Sequence, residues 1–381
     1  MRFMIISTDY TEFLDWLYAE NPGLNRRRYE EQMSARVESL FPGPHVYSTY
    51  LRELGHESHD FYANNRYMQR AWLREMRFKV KADWRWEFRL RRRIVPWFSR
   101  IRNEDWLYDN LATQIRYYKP DVLLNHDMYR LRCDLLKKMK PYVRLLMGQH
   151  AGSPLPTGMD FGCYDLFISS FQPYVDQFRH MGIPAELNRL GFDPAWLSCM
   201  DGDERPFDIT FIGSFHPVHS SRATFLETLC SRFPQAKVWA PGVDHLAPGS
   251  SIRKCYQGVA WGREMYKILS HSKIALNHHG DVLPYANNGR LYEATVMGAL
   301  LITDWKENLP EMFEPGKEVV AYRSPEECAE LVQYYLGHDA ERKAIAHAGQ
   351  QRTLQEHSYA RRVRELMEIV SSYYPRNQKL P

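Results

Sequence analysis

The stretch Asn287-Asn288-Gly289-Arg290-Leu291-Tyr292-Glu293-Ala294 has the residue types needed to hold a nucleotide. A loop rich in Asn and Gly feeds a helix that carries Arg290 and Glu293 near its start. Free backbone N–H groups at a helix start, joined by a guanidinium, suit a diphosphate. A carboxylate one turn in can accept two hydrogen bonds from ribose hydroxyls. Asn288, Gly289 and Arg290 are therefore the diphosphate candidates, and Glu293 is the ribose candidate. Taken alone, the pair also reads as a solvated helix carboxylate with its i−3 arginine. A second phosphate element is Ile209-Thr210-Phe211-Ile212-Gly213-Ser214, a strand ending in Gly, with Ser220-Ser221-Arg222 opening the next helix.

Polar residues also end apolar strands in the N-terminal half. One strand runs into Asn125-His126-Asp127, and another into Gly148-Gln149-His150-Ala151-Gly152. In open α/β sheets, side chains just beyond strand C-termini face the ligand crevice. That nominates His150, Asp127 and His126. Asp9, in Ser7-Thr8-Asp9-Tyr10-Thr11 after the first strand, is a candidate acceptor-side base, with loop capping as the alternative. Asp201-Gly202-Asp203 has the D-x-D form of a Mn²⁺ site, but a linker does not fix carboxylates at a strand end. His278-His279 lacks companion ligands at diagnostic spacing, although its place after a strand can bring one imidazole near the nucleotide. No metal and no cofactor are expected.

These residues need a scaffold of strand ends. Strand-length apolar runs fall at 3–7, 122–125, 143–147, 166–169, 209–213, 274–277 and 300–303. Helical patterns fall between them, at 46–54, 173–181 and 326–336, the last with Ser324 as N-cap and Pro325 at its start. Turn residues cluster near 193–207 before the β-then-α pattern restarts. The expected fold class is α/β, with two Rossmann-like domains facing a central cleft. The N-terminal, acceptor-side domain spans 1–195 and the donor domain 205–356, followed by a C-terminal helix and tail at 357–381.

Composition agrees with a globular, multidomain chain: 381 residues, 44% hydrophobic and 25% charged. No window approaches 18 uninterrupted apolar residues, and the N-terminus lacks a cleavable signal's long apolar stretch. The six cysteines, at 133, 163, 199, 230, 255 and 328, form no C-x-x-C pair. That excludes a zinc ribbon, argues against a disulfide framework and favours a reducing cytoplasm. Within the net charge of +4, residues 66–102 hold thirteen Lys or Arg against Glu75, Asp83 and Glu87. Trp72, Trp84, Trp86, Trp97 and Phe88 are interleaved. The segment reads either as a helix pair with a solvated basic face or as a platform for an anionic acceptor or the inner membrane surface. A third reading, a non-catalytic RNA-binding protein using this segment, meets no recognition motif of known RNA modules, and no nucleic-acid partner is expected.

Residues 205–370 resemble the C-terminal domain of group 1, family 4-like GT-B glycosyltransferases, particularly the CgeB-like, spore-maturation branch. The pattern is carried by Asn288–Gly298, by Glu311-Met312-Phe313 leading to Gly316 and Glu318, and by His357-Ser358-Tyr359-Ala360-Arg361-Arg362. The resemblance implies a GT-B fold and transfer of a sugar from a nucleoside diphosphate donor, UDP among the candidates, to an unidentified acceptor. It implies that Glu293 is the second Glu of an E-x7-E motif; Tyr285 stands where the first would be. It also implies that Arg222 neutralises the departing diphosphate and that His150 contacts the donor sugar. Metal independence and retention of anomeric configuration are further expectations. A related transferase of a non-sugar group such as phosphoglycerol would use the same diphosphate site.

Overall fold

The computed structural model describes residues 1–80, 84–91, 95–102, 105–152, 154–202, 204–215, 220–281 and 284–374. Lys81, Asp83, Arg92, Arg93, Asp203 and the tail from 375 lie outside the described residues. The N-terminal domain contains strands β1 (Arg2–Ser7), β2 (Glu57–Tyr62), β3 (Trp84–Arg91), β4 (Val95–Arg102), β5 (Val122–Asn125), β6 (Leu145–Gln149), β7 (Leu166–Ser169) and β8 (Ala185–Leu187). Its helices are α1 (Thr11–Glu20), α2 (Tyr29–Glu38), α3 (His45–Glu53), α4 (Arg66–Glu75), α5 (Asp105–Tyr118), α6 (Cys133–Met139) and α7 (Gln172–His180). Among the described residues, six strands form one parallel sheet in the order β2-β1-β5-β6-β7-β8.

The second domain is built from β9 (Phe207–Ile212), α8 (Ser220–Arg232), β10 (Lys237–Trp239), α9 (Ser251–Cys255), α10 (Gly262–Ser270), β11 (Ser272–Asn277), α11 (Arg290–Val296), β12 (Leu300–Asp304), β13 (Val320–Tyr322), α12 (Pro325–Gly337) and α13 (Asp339–Glu356). Its parallel sheet runs β10-β9-β11-β12-β13. The central strands are nearly continuous apolar runs because helices cover both faces. In β1, Phe3 and Ile5 enter one buried cluster while Met4 and Ile6 enter another, as the two-residue period of a strand requires. Ser324 caps α12 by accepting from Glu327 N at 3.1 Å.

The chain crosses between the domains twice. It leaves the first through residues 188–206 and returns at His357 to begin α14 (Tyr359–Tyr373). The two crossings pair: Phe192 N donates to His357 O at 2.8 Å, and Tyr359 N to Phe192 O at 2.9 Å. A Cβ on Gly191 would lie 2.6 Å from His357 O, so only glycine lets the backbones approach. Asn188 Nδ2 donates to Arg362 O at 3.0 Å and Arg362 Nε to Leu190 O at 3.0 Å. α14 packs on α3 and closes one face of the N-terminal sheet through Val363, Leu366 and Val370.

Two expectations are corrected. Residues 66–102 do not form a helix pair: among the described residues only α4 is helical, and β3 and β4 form an antiparallel hairpin with Phe88 opposite Phe98. The alternation of Trp84, Trp86, Phe88 and Leu90 with charged residues has the period of a strand. The cysteines also do not all stay apart. Cys133, opening α6, and Cys163, before β7, form a disulfide across 30 residues of sequence. Scattered spacing said nothing about two loops that end side by side, and the case for a reducing compartment loses that support. Cys199, Cys230, Cys255 and Cys328 are buried free thiols.

Candidate donor site at the domain cleft

The loop after β11 leads into α11, where Arg290 and Glu293 lie one turn apart. Arg290 Nη1 is 2.9 Å from Glu293 Oε2, and their side chains are only 11% and 9% exposed. The approach is off the hydrogen-bonding angle, so Arg290 Nε and Nη1 remain buried donors without hydrogen-bond partners. Burial pushes the Glu293 carboxyl up against the opposing pull of Arg290. Asn288 Nδ2 donates to Asn277 Oδ1 at 2.9 Å, leaving Asn288 Oδ1 unsatisfied. A Cβ on Gly289 would meet Glu293 Oε1 at 3.0 Å. The pair is thus a buried, incompletely satisfied unit and not a solvated helix contact.

Arg222, at the start of α8, is buried. Its Nη1 donates to Ser214 O at 2.7 Å and its Nη2 to His278 O at 2.8 Å, bracing the loops after β9 and β11. Nε has no partner. Burial takes its pKa down to about 10; Asp304 opposes the fall and the nearby charge of Arg290 adds to it. Gly213 donates its N–H to Trp239 O at 3.0 Å. A helix start is not free for an anion at α8, because Asp281 Oδ2 already accepts from Ser221 N at 3.0 Å, and α11 has only two turns.

The adjacent histidines separate. His278 uses both ring nitrogens, with Tyr322 Oη and Ser221 Oγ each at 2.9 Å. His279 sets Nδ1 2.6 Å from Asp304 Oδ1, and its Nε2 is buried without a partner. Burial pushes Asp304 up, but His279 and then Lys306, 3.1 Å away, outweigh it and hold the carboxyl well below the carboxylate range. The sequence offers His278-His279 as a place where one imidazole can come near the nucleotide, but not Asp304, whose signal is its placement at a strand end. Among the described residues, no group of three or more His, Cys, Asp or Glu could hold a metal ion.

On the opposite domain, His150 follows β6 and is buried, its ring 4.5 Å from Tyr174 and 6.0 Å from Tyr129 between centroids. Asp127 is committed to its own loop: Oδ2 accepts from Thr8 Oγ1 at 2.6 Å, and Oδ1 from the backbone N–H groups of Tyr129 and Arg130 at 3.1 and 3.0 Å. Asp9 is held by Arg36, Nε to Oδ2 at 3.1 Å and Nη2 to Oδ1 at 2.9 Å, with both residues buried. These contacts give Asp9 the character of an ion-paired brace and not of a free base. His126 is half-buried, with its Nε2 atom buried and unsatisfied, and desolvation takes its pKa down to about 3.

The halves meet around these residues. Asn287 Nδ2 donates to Ser170 Oγ at 2.8 Å, and the neighbouring Ser169 Oγ donates to the His150 carbonyl at 2.6 Å. Tyr285 packs against the N-terminal core. At the other side of the cleft, Arg263 N donates to Ser39 O at 2.8 Å. Gly262, at φ +50°, passes so close to Ser39 O that a Cβ would lie 2.0 Å away.

Over nearly its whole length the chain superposes on HepE of Anabaena in complex with UDP-glucose. That match has 10% identity and a TM-score of 0.59, over 98% of this chain and 100% of the other. A glycosyltransferase from Rickettsia africae matches at 12% identity and TM-score 0.59, with 99% of each chain covered. The pneumococcal O-GlcNAc transferase GtfA in complex with UDP and GlcNAc matches at 8% identity and TM-score 0.59, over 98% and 99%. The chain has the GT-B fold. Residues 222–368 of this GT-B chain also match a family model described as glycosyl transferase-like. That span contains Arg222, His279, Asn288, Arg290, Glu293 and Asp304 and none of Asp9, Asp127 or His150. No curated protein matches the chain in sequence.

Proposed function

We propose that the protein transfers a sugar from a nucleoside diphosphate sugar, with UDP as the first base to test, to an acceptor held by the N-terminal domain. The observation that carries this reading is the pair of guanidiniums of buried Arg222 and largely buried Arg290. Each keeps N–H donors without hydrogen-bond partners, and the charge of Arg290 adds to the lowering of Arg222. Two neighbouring buried cations repel, and an anion between them relieves both. Proteins with this fold in complex with UDP-glucose, and with UDP and GlcNAc, support the choice of donor.

In the proposed step, the bond from the anomeric carbon to the diphosphate oxygen breaks, an acceptor hydroxyl oxygen takes its place, and the hydroxyl proton passes to the departing diphosphate. Negative charge grows on the departing diphosphate, where Arg222, Arg290 and His279 Nε2 stabilise it. These groups perform the charge neutralisation that a divalent cation supplies elsewhere, so the transfer is proposed to be metal-independent. Glu293 holds the ribose, and His150 orients the sugar from the opposite domain. The likeness to family 4 supports retention of configuration, and the Asn288–Gly298 and His357–Arg362 patterns support the CgeB-like branch. An acceptor that is anionic or lipid-linked accords with the basic segment.

A thermal-shift series with UDP, GDP, CDP, ADP and dTDP, with and without Mg²⁺, tests the reading. A ligand at 100 times its dissociation constant adds roughly 2.7 kcal/mol of stability. One nucleotide should stabilise the protein without metal, and its sugar conjugate should then yield a glycosylated product, with no transfer of phosphoglycerol. Indifference to every nucleotide at millimolar concentration sinks the proposal.

A further inference from the structure

The hairpin of β3 and β4 carries an unusual surface. Trp86, Phe88 and Phe98 are 62%, 56% and 64% exposed. Trp86 and Phe88 are two residues apart on one strand, and Phe98 stands opposite Phe88 with ring centroids 5.3 Å apart. In the backbone register Arg102 pairs with Trp84 and Arg100 with Trp86. Residues 84–102 contain seven arginines against Glu87 alone. Large apolar rings exposed together mark a contact surface, and aromatic rings beside basic residues suit the interface of an anionic bilayer. A two-stranded ribbon is marginal in water by itself, so a surface that covers its apolar face also completes its packing.

The hairpin is attached at the rim of the cleft. β4 ends at Arg102, three residues before α5 begins, a reach of at most about 10 Å. Tyr108, in the first turn of α5, donates from Oη to Arg130 O at 2.8 Å. Arg130 lies in the loop after β5, at the same sheet end as Asp127 and His150. Among the described residues, no helix is long and apolar enough to cross a membrane, so the contact in question is a surface one.

We propose that the Trp86–Phe88–Phe98 face docks on an anionic lipid bilayer and thereby brings the acceptor side of the cleft to the membrane surface. The docking goes beyond the donor reading and does not depend on it. The full chain is co-sedimented with vesicles of phosphatidylcholine alone, and with vesicles containing about a third of phosphatidylglycerol, at low and physiological salt. Wild type should sediment with the anionic vesicles, more weakly as salt rises, and not with the neutral ones. Trp86→Ser, Phe88→Ser and Phe98→Ser together should cost about a hundredfold or more in apparent affinity. Arg100→Gln with Arg102→Gln should cost about tenfold or more. Both variants should keep the wild-type melting temperature and nucleotide response, since the substituted positions lie outside the donor domain. Wild type left in the supernatant at both salts overturns the proposal, as does an aromatic variant that sediments like wild type. Retention of single-stranded RNA in place of vesicles also overturns it and assigns the face to nucleic acid.

Discussion

Arg290 and Glu293 hold one another across a single turn of α11, buried, 2.9 Å apart, and without a hydrogen bond between them. A pair so placed is poised to exchange an internal partner for a ligand. Replacing Glu293 by Ala leaves a buried arginine uncompensated, and such a loss costs about 3–5 kcal/mol of stability. Glu293→Gln keeps the shape and removes the charge. We expect Gln to lower nucleotide affinity about ten- to a hundredfold, the range of a charged hydrogen bond. Calorimetric titration of the folded variant checks this, and unchanged affinity removes Glu293 from the site.

Asp304 engages Nδ1 of His279 and leaves Nε2 as the nitrogen without a partner. In Asp304→Asn, the side chain can no longer favour a proton on Nδ1 so strongly, and Nε2 loses its fixed role as donor. Nucleotide affinity and turnover should both fall about ten- to a hundredfold. The matching change at His278, which is engaged at both nitrogens, should act on stability and not on binding. Equal binding losses in the two cases would refute the distinction.

His150→Ala should lower kcat about a hundredfold or more with little effect on nucleotide affinity, because His150 comes from the acceptor-side domain. Donor hydrolysis, read as nucleotide release from the sugar conjugate, provides the assay while the acceptor is sought. Wild-type turnover would leave the imidazole as packing between Tyr129 and Tyr174.

Asp9→Asn removes the charge that balances Arg36, which has no access to water. A loss of about 3–5 kcal/mol in unfolding free energy is expected, with the turnover of the folded fraction retained. Lost turnover at unchanged stability would instead restore Asp9 as a base.

His126 makes stability depend on pH. The unfolded imidazole takes up a proton below about 6.5, whereas the folded one is depressed by burial to about 3. The unfolded state therefore binds more protons in that window, and stability is lost as pH falls. Between pH 6.5 and pH 5 the loss assigned to His126 is about 2 kcal/mol. Denaturant titrations of wild type and His126→Gln should diverge by that amount, and parallel curves would dismiss it.

Local patterns were legible and distant pairings were not. Arg290 and Glu293 could be read because one helical turn joins them. His279 and Asp304 are 25 residues apart and meet only because β11 lies beside β12, with Asn277 in register with Thr303. Asp9 and Arg36 are likewise 27 residues apart. The apolar strands β5, β7 and β12 announced themselves. β2 did not, because it buries Ser58 and Asp60, whose polarity is satisfied by Ser48 from α3. Strands as short as β8, β10 and β13 have too few residues to show a period. In the hairpin, the density of arginines masks the two-residue alternation of Trp84, Trp86, Phe88 and Leu90.

The paired crossings at Phe192 and Ser358 constrain how the molecule can open. A single connecting strand would permit swivelling about any bond. Two connectors hydrogen-bonded side by side act as the spine of a book, leaving one easy rotation, the swing of one cover from the other. Along that rotation, contacts far from the spine separate most and those beside it least. Asn287 would part from Ser170 and Arg263 from Ser39 in the same movement. Donor entry and release of the spent nucleotide thus draw on a single mechanical coordinate, set by the backbone of Gly191 and Phe192 against His357 and Tyr359.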